Sequence, residues 1–193
     1  NVNGDGYVSP QDALIVINTL NAAGNRALTL PRPDLFPTNE FYDVNGDKLA
    51  DIITSFAAHG FGLVWYEQVR AGDDINFKPH VIMSTEQKRV PNAYGVCFCE
   101  LHAIDLVDVD GDGLKDIVTG KRFWSHGRTG DPDRDSPAVL YWFKLVRNAD
   151  NSVTFLPFQI DDASGVGTQV VALPCCDKAL SDIVVGNKRG TFY

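Results

Sequence analysis

Asp108-Val-Asp-Gly-Asp-Gly-Leu-Lys-Asp116-Ile-Val-Thr-Gly120 is the stretch whose reading decides the fold. Asp108, Asp110, Asp112 and Asp116 take its first, third, fifth and ninth positions, and Ile117-Val118-Thr119 follows at once. Carboxylates set at alternate positions of a tight loop repel one another unless a cation sits among them. Glycine after them permits the sharp turn. The β-branched run reads as a strand, so no helix starts here. A plain hairpin needs one or two Asn-Gly or Asp-Gly residues, not four acids in register. The stretch therefore predicts a calcium loop between two strands, with Asp108, Asp110, Asp112, the Leu114 carbonyl and Asp116 as ligands.

The pattern recurs. Asp43-Val-Asn-Gly-Asp-Lys-Leu-Ala-Asp51-Ile-Ile-Thr carries Asp43, Asn45, Asp47, the Leu49 carbonyl and Asp51 at the same positions. A third copy ends in Leu180-Ser-Asp182-Ile-Val-Val-Gly186 but has Pro174, Cys176 and Lys178 where ligands belong, and is expected to be metal-free. Asp51 and Asp116 are 65 residues apart, Asp116 and Asp182 are 66. A near-constant period marks internal repeats. Within each period Gly62-Leu-Val-Trp-Tyr66 matches Ala138-Val-Leu-Tyr-Trp-Phe143, and Phe77–Ile82 matches Phe155–Ile160. Each unit reads as several short strands, and four-stranded units in tandem are how a β-propeller builds its blades. The extra stretches, Met83–Val96 and Gly120–Pro137, read as surface loops. Having four aspartates, the 108–116 loop is expected to bind calcium most tightly.

The N-terminus is different. Asn1, Asn3 and Asp5, then Gly6, the Tyr7 carbonyl, Ser9 and Asp12, follow an EF-hand register. Position 1 is Asn and position 12 is Asp rather than Glu, which costs charge and reach. Ser9-Pro-Gln-Asp12 then supplies a helix start, and Ala13, Leu14, Ile17 and Leu20 follow at helical spacing. Residues 24–38 contain three prolines and read as a linker. The expected organisation is an EF-hand-like unit over 1–23, the linker, and a mainly β partial propeller of about two and a half blades over 39–193.

Composition sets outer bounds. The 193 residues carry a formal charge of −8. Asp5, Asp12, Asp43, Asp47, Asp51, Asp108, Asp110, Asp112 and Asp116 lie in three clusters, and one Ca²⁺ in each would bring the charge to −2. Such a surface argues against nucleic acid, whose phosphates need clustered Lys and Arg. No apolar run reaches the roughly 18–20 residues of a membrane span. Asn1 already lies inside a motif and Gly190–Tyr193 follows a strand-like run, so the sequence reads as part of a longer protein.

The 43–51 and 108–116 motifs, with the Val-Trp-Tyr and Tyr-Trp-Phe strands, resemble the FG-GAP/VCBS repeat family over about residues 39–193. Residues 1–23 resemble one dockerin type I repeat, including the Asp12-Ala-Leu helix start. A complete dockerin has two such repeats, so half is present. The combination is similar to large secreted proteins of planctomycete-type bacteria. The resemblance implies Ca²⁺, a propeller, secretion or surface display, and a cohesin-like partner for the dockerin-like unit. It does not imply a catalytic site.

Among the remaining residues His102, Lys121, Arg122 and His126, with Asp131, are the best candidates for a polar ligand site, although they also suit a solvated surface of charge pairs. Trp65, Tyr66, Trp142 and Phe143 occupy repeat positions that argue for core rather than sugar stacking. Cys97, Cys99, Cys175 and Cys176 fit no usual zinc or haem spacing. Free buried thiols and cross-pairing between the two sites both suit them. No nucleophile elbow, H-E-x-x-H or phosphate loop is present. The expectation is a non-enzymatic, calcium-stabilised binding or adhesion module for an extracellular glycan or protein ligand. The alternative is an accessory or structural propeller of a carbohydrate-active lyase or hydrolase.

Overall fold

The computed structural model describes residues 42–57, 59–84, 92–123, 126–127, 129–174 and 181–193. The EF-hand-like unit, its ligands Asn1 to Asp12, the linker and Cys175–Lys178 lie outside the described residues. Contacts divide the chain into Asn1–Glu40 and Phe41–Tyr193, and everything below concerns the second unit.

The described chain is mainly β and forms three antiparallel sheets in sequence order. The first has β1 (Ile52–Ser55), β2 (Leu63–Ala71) and β3 (Asp74–Met83). The second is a four-stranded meander of β4 (Ile104–Val107), β5 (Asp116–Gly120), β6 (Leu140–Arg147) and β7 (Val153–Asp161). The third has β8 (Gln169–Pro174), β9 (Ser181–Asn187) and β10 (Gly190–Phe192) in the order β10-β9-β8. No membrane-length apolar helix occurs among the described residues.

The β-branched run after each acidic loop enters its sheet in the same way. Ile52 pairs with Tyr66 in the first sheet, and Ile117 with Phe143 in the second. Both second strands carry an irregularity at their first step, Leu63/Val64 and Leu140/Tyr141, where an extra residue increases the local twist. The β2–β3 hairpin closes with the two residues Gly72-Asp73, Gly72 supplying the positive φ such a turn demands.

Side-chain alternation then builds two cores. Val44, Leu63, Trp65, Met83, Ile117, Phe143, Leu145 and Phe155 join the first and second sheets. Val109, Val118, Leu140, Val166, Val170 and Val185 join the second and third. The second sheet is thus covered on both faces, and every residue of β5 is buried. This is why its successive residues Ile117 and Val118 are both apolar rather than alternating with polar ones. Trp65 and Phe143 are core residues; Trp142 is half-buried against the second core and stacks on Phe158 with centroids 4.8 Å apart.

The insertion over Gly120–Pro137 is only partly a surface loop. Lys121 and Asp131 within it are buried. Lys121 N donates to Val139 O, and a Cβ on Gly120 would lie 2.1 Å from that same oxygen. Glycine is therefore required for the loop to leave β5 at this close approach.

Candidate metal centres

The acidic loops fold alike around their first, fifth and ninth residues. Asp43 Oδ1 accepts from Gly46 N (2.7 Å) and Asp47 N (3.1 Å), and its Oδ2 from Lys48 N (3.0 Å). Asp108 Oδ1 accepts from Gly111 N (2.8 Å) and Asp112 N (3.1 Å), and its Oδ2 from Gly113 N (2.9 Å). Asp47 and Asp112 accept from Leu49 N and Leu114 N at 2.8 and 2.9 Å. The last acid of each loop faces inward. Asp51 accepts from Val44 N (2.8 Å) and Gln68 N (2.9 Å), and Asp116 from Val109 N (3.1 Å) and Leu145 N (2.8 Å). Asp51 and Asp116 therefore fasten the loop to its sheet by donors on β2 and β6.

The residues of the second loop fit a hard cation. Oxygens of Asp108, Asp110 and Asp116 lie within 4.8 Å of one another. Asp110 Oδ1 is buried and accepts no hydrogen bond among the described residues. Carboxylate oxygens keep a second lone pair after accepting one N–H, so the internal bonds do not exhaust them. An all-oxygen donor set of this kind suits Ca²⁺.

The surroundings of the two loops differ in a way the loop sequences do not reveal. Lys144 on β6 donates to Asp110, and its Nζ is 2.9 Å from Asp112 Oδ2. Hydrogen bonds to Asp110 and then Asp112 hold the Lys144 ammonium well above the ordinary lysine range, while the bond from Lys144 lowers the Asp112 carboxyl. The corresponding residue of β2 is Glu67, which accepts from Asn45 Nδ2 at 3.2 Å. Burial pushes the Glu67 carboxyl up, but the hydrogen bond from His80 and the charge of Lys78 outweigh it, and the net shift is downward. The first loop is also clamped from the second sheet. Arg147 Nε donates to Val44 O at 2.9 Å, and Arg147 also donates to Asp43 O.

One backbone difference yields a prediction. Lys48 has φ +69°, where the second loop has Gly113 at φ +88°. A side chain in this left-handed region costs about 1–2 kcal/mol, against about 0.5–1 kcal/mol for the extra freedom glycine brings to the unfolded chain. Lys48→Gly is expected to raise stability by about 0.5 kcal/mol. The check is a higher urea midpoint with an unchanged m-value.

The polar candidates His102, Lys121, Arg122 and His126 come together, joined by two residues that sequence reasoning missed, His59 and Glu100. Glu100 N donates to Gly60 O (3.1 Å) and Arg122 N donates to Glu100 O (3.1 Å), so three chain segments converge on one glutamate. Its side chain is 0% exposed and its φ is +62°. Glu100 Oε2 lies 3.3 Å from His102 Nε2 and 3.6 Å from His59 Nδ1. His126 Nδ1 is 3.0 Å from Asp131 Oδ1, and Asp131 also accepts from the His126 backbone N–H at 3.0 Å. Burial lowers the His102 imidazole below the usual histidine range, against the hydrogen bond to Glu100, and so favours the neutral ring. Lys121 is buried rather than solvated, its Nζ 3.4 Å from Arg122 O. The adjacent Cys99 thiol faces Pro132 O at 3.0 Å, and burial pushes its pKa up to about 12. The legible signal for His59 was positional. It sits in the loop after β1, and Lys121 and Arg122 sit in the loop after β5, the corresponding strand.

No family model matches this sequence, and no curated protein matches it.

Proposed function

We propose that the chain is a calcium-stabilised, non-catalytic binding or adhesion module of a secreted or cell-surface protein. In this reading its sheets are successive blades of a partial β-propeller, about two and a half of them, of the FG-GAP/VCBS kind. One observation carries the proposal: the 43–51 and 108–116 loops close with the same hydrogen bonds and end in a buried aspartate fastened to the following sheet. Calcium in such a loop relieves repulsion among Asp108, Asp110, Asp112 and Asp116, and ties two strands of one sheet together. The serial sheets, with the middle one covered on both faces, also suit a blade stack. The ligand class is an extracellular glycan or protein, reached by loops at one end of the sheets. A cohesin-like partner belongs with residues 1–23.

Thermal melting tests the reading. A cation that binds only the folded state adds RT ln(1 + [L]/Kd), about 2.7 kcal/mol at a hundredfold excess over Kd. The melting temperature is expected to fall by roughly 5–10 °C on moving from millimolar Ca²⁺ to EGTA. Identical curves in the two conditions would remove calcium from the proposal.

A further inference from the structure

We infer that His59, Glu100 and His102 form a second metal site, distinct in chemistry from the acidic loops, that takes a divalent transition-metal cation of the zinc class, with His126 beside His59 to close the fourth position. A tetrahedral centre with metal–ligand bonds of about 2.1 Å places its ligand atoms about 3.4 Å apart. The structure holds His102 Nε2 and His59 Nδ1 at 3.3 and 3.6 Å from the same Glu100 oxygen. Ligand atoms of His59, Glu100 and His102 all lie within 4.8 Å of one another, and those of His59, His126 and Asp131 do likewise. His59 is shared by both groups, with its ring centroid 4.7 Å from that of His102 and 4.3 Å from that of His126.

The donor chemistry selects the cation. The acidic loops offer only oxygen, which suits calcium, whereas imidazole nitrogens with one carboxylate suit zinc, copper, iron or nickel. Support around the ligands follows the pattern of bound metals. Asp131 is buried and orients the His126 ring by a 3.0 Å contact at Nδ1, as a carboxylate does behind a metal-bound histidine. The Glu100 backbone is held by bonds to Gly60 and Arg122, and its carboxylate is fully buried against His59 and His102. His59 and His126 are exposed, which gives the cation a path of entry. The site uses no residue of the calcium loops.

Cobalt is the direct probe, because tetrahedral Co²⁺ absorbs in the visible through d–d transitions and Ca²⁺ does not. The full chain, stripped of metal and held in millimolar Ca²⁺, is titrated with Co²⁺ and then with Zn²⁺. The expected result is one Co²⁺ per chain, displaced by Zn²⁺ and not by Ca²⁺. His59→Ala and His102→Ala are each expected to weaken binding about 100-fold, the upper end of what disturbing a metal site's support already costs. His59 is exposed and not in the core, so its variant is expected to melt as the parent does, which separates loss of the site from loss of the fold. No tetrahedral Co²⁺ spectrum, or unchanged affinity in both variants, would overturn the site. So would a thiolate charge-transfer band abolished by Cys99→Ser. Terbium luminescence from the acidic loops is read independently, so the two metal proposals stand or fall separately.

Discussion

Replacing Asp116 by alanine is expected to destabilise the protein by about 3–5 kcal/mol, even with no metal added. Asp116 is fully buried at the mouth of the second loop, and it accepts from Val109 N and Leu145 N at 3.1 and 2.8 Å. Those donors belong to the loop and to β6, so one side chain closes the loop and docks it on the sheet. Alanine leaves two buried N–H groups without an acceptor, each costing about 1–3 kcal/mol. It also opens a gap beside the fully buried Ile117. Urea denaturation of the variant in EGTA measures this. A loss below 1 kcal/mol would show that the loop is not fastened through Asp116.

The same residue gives a pH signature. Burial raises the Asp116 carboxyl above its ordinary value, against the two backbone donors that lower it. A raised folded-state pKa means that the folded protein binds this proton more readily than the unfolded one does. The stabilisation is complete below the unfolded pKa of about 3.9 and is lost as pH rises through the folded value. In the proposed calcium-bound state, Ca²⁺ would oppose this loss by taking the carboxylate as a ligand. Stability in EGTA should therefore decline with rising pH just above that point more than stability in Ca²⁺ does.

Much of this architecture is legible in the sequence because its signals are local. The Asp-x-Asn-Gly-Asp and Asp-x-Asp-Gly-Asp spacings define each loop within nine residues, and the Ile-Ile-Thr or Ile-Val-Thr run that follows can only continue as strand. Aligning the two copies sets Tyr66 against Phe143, and the structure pairs Ile52 with Tyr66 and Ile117 with Phe143. The histidine site was half legible. His102, Lys121, Arg122, His126 and Asp131 were grouped because they lie close along the chain. His59 and Glu100 were not, because only long-range backbone hydrogen bonds between loops bring Gly60 to Glu100 and Glu100 to Arg122. The buried Lys121 was misread for a related reason. A lysine followed by arginine at a strand end looks solvated, yet Lys121 is almost fully buried.

Lys144 was invisible to sequence reasoning for the opposite reason, since its position on β6 looks like an ordinary outward residue, and it changes the ranking of the two loops. Counting aspartates alone puts 108–116 first. In the structure the ammonium of Lys144 already sits against Asp110 and Asp112, so an incoming Ca²⁺ must displace it or share the carboxylates with it. Glu67, at the corresponding position of the first loop, instead lies against Asn45 and adds an acid beside Asp43, Asp47 and Asp51. Lys78 and Arg147 offset part of that charge, but Lys78 contacts Glu67 at 3.5 Å with a largely exposed side chain, and Arg147 donates to the carbonyls of Asp43 and Val44 rather than to a loop carboxylate. The two loops are therefore expected to bind Ca²⁺ with affinities within about tenfold of each other, where four aspartates against three would have separated them further. Removing the resident cation should tighten the second loop. With the first loop disabled by Asp47→Ala, Lys144→Gln is expected to increase terbium affinity about tenfold, and Lys144→Glu by more. With the second loop disabled by Asp112→Ala, Glu67→Lys is expected to weaken the first by a similar factor. Both effects should shrink as salt is raised, because the charges are partly exposed. An unchanged affinity in Lys144→Gln at low salt would mean that the lysine swings aside at no cost, and the count of aspartates would again decide the order.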